Sequence, residues 1–144
     1  MKPVLAGLVM VLSLAFAGAQ AADQGANKDP GADFIKGKLF PPELIMRNQA
    51  KLNLTDKQRA TMKNELKSFQ SRLAEVQWDM LEASTGLDTA IDQLPVNRDA
   101  VLQQVERVLQ GENRVKMLHL EMLIAIKNSL TPEQVAYLKS VPQE

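Results

Sequence analysis

The side chains best suited to chemistry in this 144-residue chain surround its single histidine, His119, with Glu112 two turns before it and Met122 one turn after. On a helix the three share roughly one face, since 3.6 residues make a turn. An imidazole, a carboxylate and a thioether could begin a metal site for nickel, cobalt, zinc or copper, completed by a second chain. A divalent transition metal is therefore the cofactor to test for. A lone histidine in an apolar helix also serves as an interior or interface residue, and that structural role competes with the metal role here.

Other chemistry is poorly supplied. The chain has no cysteine, which excludes a thiol nucleophile, a disulfide, a thiolate metal site and a lipoprotein attachment point. No serine is paired with a His and Asp set, and neither a Gly-rich phosphate loop nor an HExxH sequence occurs. Glu75, Asp79 and Glu82 share a helix face, but exposed acid stripes are normally solvated. Met46, Met62, Met80 and Met117 follow no repeated spacing and suit adaptable packing better than a copper box. The expectation is binding, not enzymatic catalysis.

Composition narrows the setting. Lys2, the apolar run from 4 to 16 and the small-x-small triplet Ala19-Gln20-Ala21 resemble a secretory signal peptide over residues 1–21. The expected compartment is a periplasm. Without Lys2 the 17 acidic side chains outnumber the basic ones by one, a balance that gives no reason to expect nucleic acid. Residues 22–40, with Gly25, Pro30, Gly31 and Gly37, read as a flexible arm. A helical domain follows over residues 41–141.

That domain is organised around residues 54–94. Met62, Leu66, Phe69, Leu73, Val76, Met80, Ala83, Leu87, Ala90 and Leu94 recur at steps of four and three, a helix period with a narrow apolar seam. Thr85-Gly86 predicts a bend, and Pro95 ends the helix. Asn97 can cap a second long helix, from Arg98 to about Ser129, whose seam runs through Val101, Val105, Val108, Val115, Met122 and Ile126. Residues 117–126 are apolar nearly all round, which predicts burial on several sides. Pro41 and Pro42 introduce a short helix over residues 43–52, and Pro132 begins a last one reaching Lys139. The predicted fold is all-α, a long antiparallel helical hairpin with short hooked helices at both ends.

Charge is divided along the first long helix. Lys51, Lys57, Arg59, Lys63, Lys67 and Arg72 crowd its first half, while Glu75, Asp79, Glu82, Asp88 and Asp92 occupy the second with no basic residue between them. An antiparallel copy would oppose the two halves, which predicts a two-fold antiparallel homodimer; local pairs on a solvated face are the alternative. Trp78 lies off the seam with Ala74 and Leu81 on the same outer stripe, marking a contact surface.

Two five-residue stretches repeat a pattern, Leu54-Thr55-Asp56-Lys57-Gln58 and Leu130-Thr131-Pro132-Glu133-Gln134. In each, the threonine hydroxyl can accept from the backbone N–H three residues on while the glutamine reaches back, forming a capping box. An all-helical chain with this pair of Leu-Thr-x-x-Gln motifs behind a signal peptide resembles the LTxxQ periplasmic proteins. These include Spy and CpxP chaperone or envelope-stress proteins, zinc-resistance-associated proteins and CnrX-like heavy-metal sensors. The resemblance covers about residues 41–141 and implies a hooked α-hairpin and a cradle-like or antiparallel dimer. CnrX-like sensors carry a His pair on the first short helix, where this chain has Ile45 and Gln49, and His119 lies one turn early for their later ligand.

The leading functional expectation is an ATP-independent chaperone or envelope-stress adaptor for unfolded or membrane-associated protein clients. Phe40, Leu44, Ile45, Trp78 and Leu81 are its expected contacts. The alternative is a heavy-metal-responsive protein that signals to a membrane sensor protein through His119, Glu112 and Met122.

Overall fold

The computed structural model describes residues 35–142; the predicted signal segment and most of the arm lie outside them. Helix formation follows the caps read from the sequence. Thr55 and Thr131 each accept a bond from the backbone N–H of Gln58 and Gln134, and each motif closes as a full capping box. Asn97 caps through its side chain to the N–H groups of Asp99 and Ala100. The resulting order is α1 (Pro42–Arg47), α2 (Gln49–Leu52), α3 (Asp56–Ile91), α4 (Arg98–Asn128) and α5 (Pro132–Ser140). Among the described residues there is no strand.

The long helices α3 and α4 form the hairpin and make the dominant contact between elements. The short helices fold back at the end where α3 begins and α4 finishes. There Phe40, Leu44, Ile45, Leu52 and Leu54 from the first hook meet Phe69, Leu118, Met122, Leu123 and Ile126 of the long pair and Leu138 of α5. All are buried. At roughly 1.5–3 kcal/mol for each large apolar side chain taken from water, this end holds most of the stabilising burial. Toward the tip, only Met80, Ala83 and Ala90 are buried, and Leu94 at the turn is 92% exposed.

Two glycines let the helices approach in this thin half. A Cβ on Gly86 would meet Gln104 Cδ at 2.9 Å. A Cβ on Gly111 would overlap Met80 Cγ and lie 2.8 Å from Met80 Sδ, so the thioether of α3 rests on bare backbone of α4. At Gly86 α3 runs on unbroken as one 36-residue helix, and the missing side chain makes room for Gln104.

Several expected details differ. The first hook is two helices, not one, because Asn48 leaves the helical conformation and its side chain donates to the Leu44 carbonyl at 2.8 Å. Asn53, in the left-handed region with φ 47°, then turns the chain into the first motif. The long helix stops at Ile91, and residues 92–97 form the turn. Leu66 and Leu94 leave the seam for solvent. In the segment expected to be buried all round, Met117 and Ile124 are exposed, because the hooks cover only part of the girth of α4.

Gly111→Ala should gain about 1 kcal/mol in helix propensity and lose roughly 1–3 kcal/mol to overpacking against Met80. A lower thermal midpoint is expected, and in a Met80→Ala background the same substitution should no longer lower it, a coupling that a double-mutant cycle measures.

Candidate functional site

The two LTxxQ turns meet. Gln58 and Gln134 exchange side-chain hydrogen bonds: Gln58 Nε2 donates to Gln134 Oε1 at 2.7 Å, and Gln134 Nε2 donates to Gln58 Oε1 at 3.2 Å. Each Oε1 also accepts from the backbone N–H of its own threonine, Thr55 at 3.0 Å and Thr131 at 2.9 Å. Each Nε2 also donates across to the backbone that leads into the other motif, Gln58 to the Ser129 carbonyl at 2.9 Å and Gln134 to the Leu52 carbonyl at 2.8 Å. Both amides thus use both donors and both acceptor positions.

This clasp has near two-fold symmetry and an apolar floor. Leu54 is buried, and Leu130 packs against the same core. Gln58 is the one buried polar side chain among the described residues, at 8% exposure. The capping boxes were legible in the sequence; their mutual pairing was missed, and the only available signal was that both motifs end in the same amide at the same offset. A second tie runs from the Tyr137 hydroxyl to Asn48 Oδ1 at 3.1 Å, fixing α5 to the break between α1 and α2.

His119 lies on α4 next to this core. Its ring centroid is 6.0 Å from that of Phe69 on α3. Burial lowers its pKa from the ordinary imidazole value, and the charge of Glu43 on α1 partly offsets that. Met122 is buried in the core, while Glu112 sits seven residues away, about 10 Å along the helix axis. Among the described residues no three His, Cys, Asp or Glu side chains come together where they could hold a metal ion. The acidic neighbour that the fold brings to His119 is Glu43, which the sequence did not single out.

The expected client contacts divide in two. Phe40, Leu44 and Ile45 are buried and do not form a surface; Pro41 and Pro42 stand between Phe40 and Leu44, and the three apolar side chains dock the first hook on the core of the hairpin. Trp78 is 71% exposed and Leu81 about half exposed, on the outer side of α3. The sequence reading omitted a third surface. Leu102, Leu109, Met117 and Ile124 on α4 follow one another at seven, eight and seven residues, the spacing of a single stripe, and all are about half exposed.

The family model described as heavy-metal resistance matches residues 4–136. The chain belongs to this family. Within it stand the LTxxQ proteins of the Spy, CpxP, zinc-resistance-associated and CnrX-like types. No curated protein and no solved structure matches the chain. For a member of the heavy-metal resistance family, the clasp explains why two LTxxQ motifs occur together: either glutamine alone caps one helix, and only the pair joins the two hooks.

Gln58 and His119 both have consequences for stability that can be measured. Gln58→Ala should cost about 2–4 kcal/mol, because it leaves the Ser129 carbonyl, the Thr55 N–H and half of the Gln134 amide without partners. In Gln58→Glu the buried carboxylate faces acceptors and should have a raised folded-state pKa, so the variant should recover stability as pH falls, as urea unfolding at several pH values would reveal. His119 has the opposite sign. Its folded-state pKa lies below the unfolded one, so the unfolded chain takes up the proton first and stability should fall as pH drops below about 6.5. Glu43→Gln should enlarge that loss and His119→Leu should remove it.

Proposed function

We propose that the protein is an exported, ATP-independent chaperone or envelope-stress adaptor that works by surface contact in the periplasm, without a chemical step. The observation that carries this reading is the exposed stripe of Leu102, Leu109, Met117 and Ile124 along α4. Four large apolar side chains on one line, spanning about 33 Å at 1.5 Å per residue, form a contact surface that the described residues leave uncovered. Leucine and methionine can repack against varied partners, which suits modest affinity for many clients. Arg107, Arg114 and Glu121 stand elsewhere on the same helix and form ion pairs, with Glu82 on α3 and with each other and Arg72, giving the surface a mixed-charge border.

The second reading is a heavy-metal-responsive protein that passes its state to a membrane partner. It is supported by family membership and by His119 held half-buried beside Met122 and under the influence of Glu43. Thermal unfolding of the mature protein with nickel, cobalt, zinc and copper separates the two, since a ion bound only by the folded state must raise the midpoint. A rise lost on His119→Ala would favour the metal reading.

Leu109→Ser with Met117→Ser should reduce suppression of a thermally aggregating client enzyme several-fold. The thermal midpoint should stay near that of the parent, because both side chains already face solvent. Undiminished suppression by this double variant would remove the α4 stripe as the client surface.

A further inference from the structure

The chain has no cysteine, so the sulfur it offers to an oxidant is the thioether of methionine. Thioethers react according to their exposure. Among the described residues Met80 and Met122 are buried and Met62 is half-buried, while Met46 and Met117 are 57% and 53% exposed. These two have different surroundings. Met46 stands on α1 among the exposed polar side chains of Glu43, Arg47 and Gln49. Met117 stands in the middle of the α4 stripe, with Leu109 before it and Leu120 and Ile124 after it at helical spacing.

An added oxygen would cost that stripe its continuity. A thioether is apolar and adaptable, whereas a sulfoxide is polar and accepts hydrogen bonds. With Met117 made polar, Leu109 and Leu120 are separated by about 16 Å of helix that carries only exposed Asn113 on the same line. A donor is close by for the new oxygen. Arg114 lies three residues before Met117 and Glu121 four after it, so both adjoin it on neighbouring turns. Their ion pair is loose at 3.4 Å, and Glu121 holds Arg72 more closely, at 2.8 Å. The Arg114 guanidinium can therefore turn to a sulfoxide while Glu121 keeps a cationic partner. Met80, seated against Gly111, and Met122 in the core are shielded, which lets the surface sulfur react while the fold stays intact.

We propose that Met117 is an oxidation site that switches the α4 surface off, a regulation that rests on that surface being the one that binds clients. The oxidant class is a hypohalous acid. With hypochlorous acid, Met117 Sδ attacks the oxygen: an S–O bond forms as the O–Cl bond breaks, and sulfur gives up two electrons. Chlorine leaves as chloride and the hydroxyl proton passes to water. The product is methionine sulfoxide, which methionine sulfoxide reductases return to the thioether, so the switch is reversible.

Controlled oxidation of the mature protein tests it. Hypochlorous acid is added in small excess and quenched with free methionine before the client enzyme is introduced, and peptide mass spectrometry locates the added oxygen. Met46 and Met117 should be oxidised before Met80 and Met122. Suppression of client aggregation should then fall several-fold while the thermal midpoint stays near that of the untreated protein, and reductases for both sulfoxide epimers should restore it. Met46→Leu should start at the parent's level and lose suppression as the parent does. Met117→Leu, whatever its own starting level, should lose nothing on treatment, and untreated Met117→Gln should suppress as poorly as the oxidised parent. An oxidised parent that suppresses as before, or a Met117→Leu variant that loses suppression as the parent does, would overturn the proposal. Failure of the underlying client surface would show differently, as undiminished suppression by untreated Leu109→Ser with Met117→Ser, and would take this proposal with it.

Discussion

Everything at the closed end of this molecule depends on two primary amides facing each other. Gln58 and Gln134 each complete a helix cap, bond to one another and hold the backbone entering the opposite turn. Burying an amide is unfavourable unless all its hydrogen-bonding positions are used, and here they are. The geometry explains why neither glutamate nor asparagine is equivalent: the acid loses the donors, and the shorter side chain cannot reach the other turn. The apolar core then lies beneath the pair, so that polar specificity and hydrophobic burial act on the same few residues.

The hairpin is unequal along its length as a consequence. Near the clasp, α1, α2 and α5 add a second layer around α3 and α4. Beyond Met80 there is only one layer, held by small residues, glycine contacts and surface ion pairs such as Glu82 with Arg107. Exposed pairs of that kind contribute under about 1 kcal/mol each. The exposed stripe of α4 crosses that boundary, from Leu102 and Leu109 in the thin half to Met117 and Ile124 beside the clasp-end core.

Helix order and capping were legible in the sequence because they rest on local chemistry: threonine, asparagine and proline at defined offsets, and apolar residues at a helix period; the break at Asn48 that makes two helices of the first hook was not. Burial was legible only where neighbours were predictable. Phe40, Leu44 and Ile45 looked like surface contacts because a few apolar residues on and just before a short helix give no sign of what covers them. Met117 and Ile124 looked buried because their segment is apolar, although the hooks that would cover them reach only one side. Gly86 signalled weakness in a helix, while its neighbour across the hairpin, Gln104, is separated from it by the whole turn. The proximity of Glu43 to His119 has the same origin, for no local pattern relates them. Pairing of the motifs was half-visible, as each amide's cap is local and its cross-connection is not.

The clasp also changes what it means to cut this chain. Residues 41–58 and 129–140, at opposite ends of the domain, are held at the same place, so the described backbone forms a loop closed by hydrogen bonds and packing. A nick near the exposed turn at Leu94 would break the covalent path where the two arms share least. It would leave two pieces, one with each LTxxQ motif, and each piece would carry one of the two amides that recognise the other. The fold is thus divided into halves whose most specific mutual contact is the motif pair.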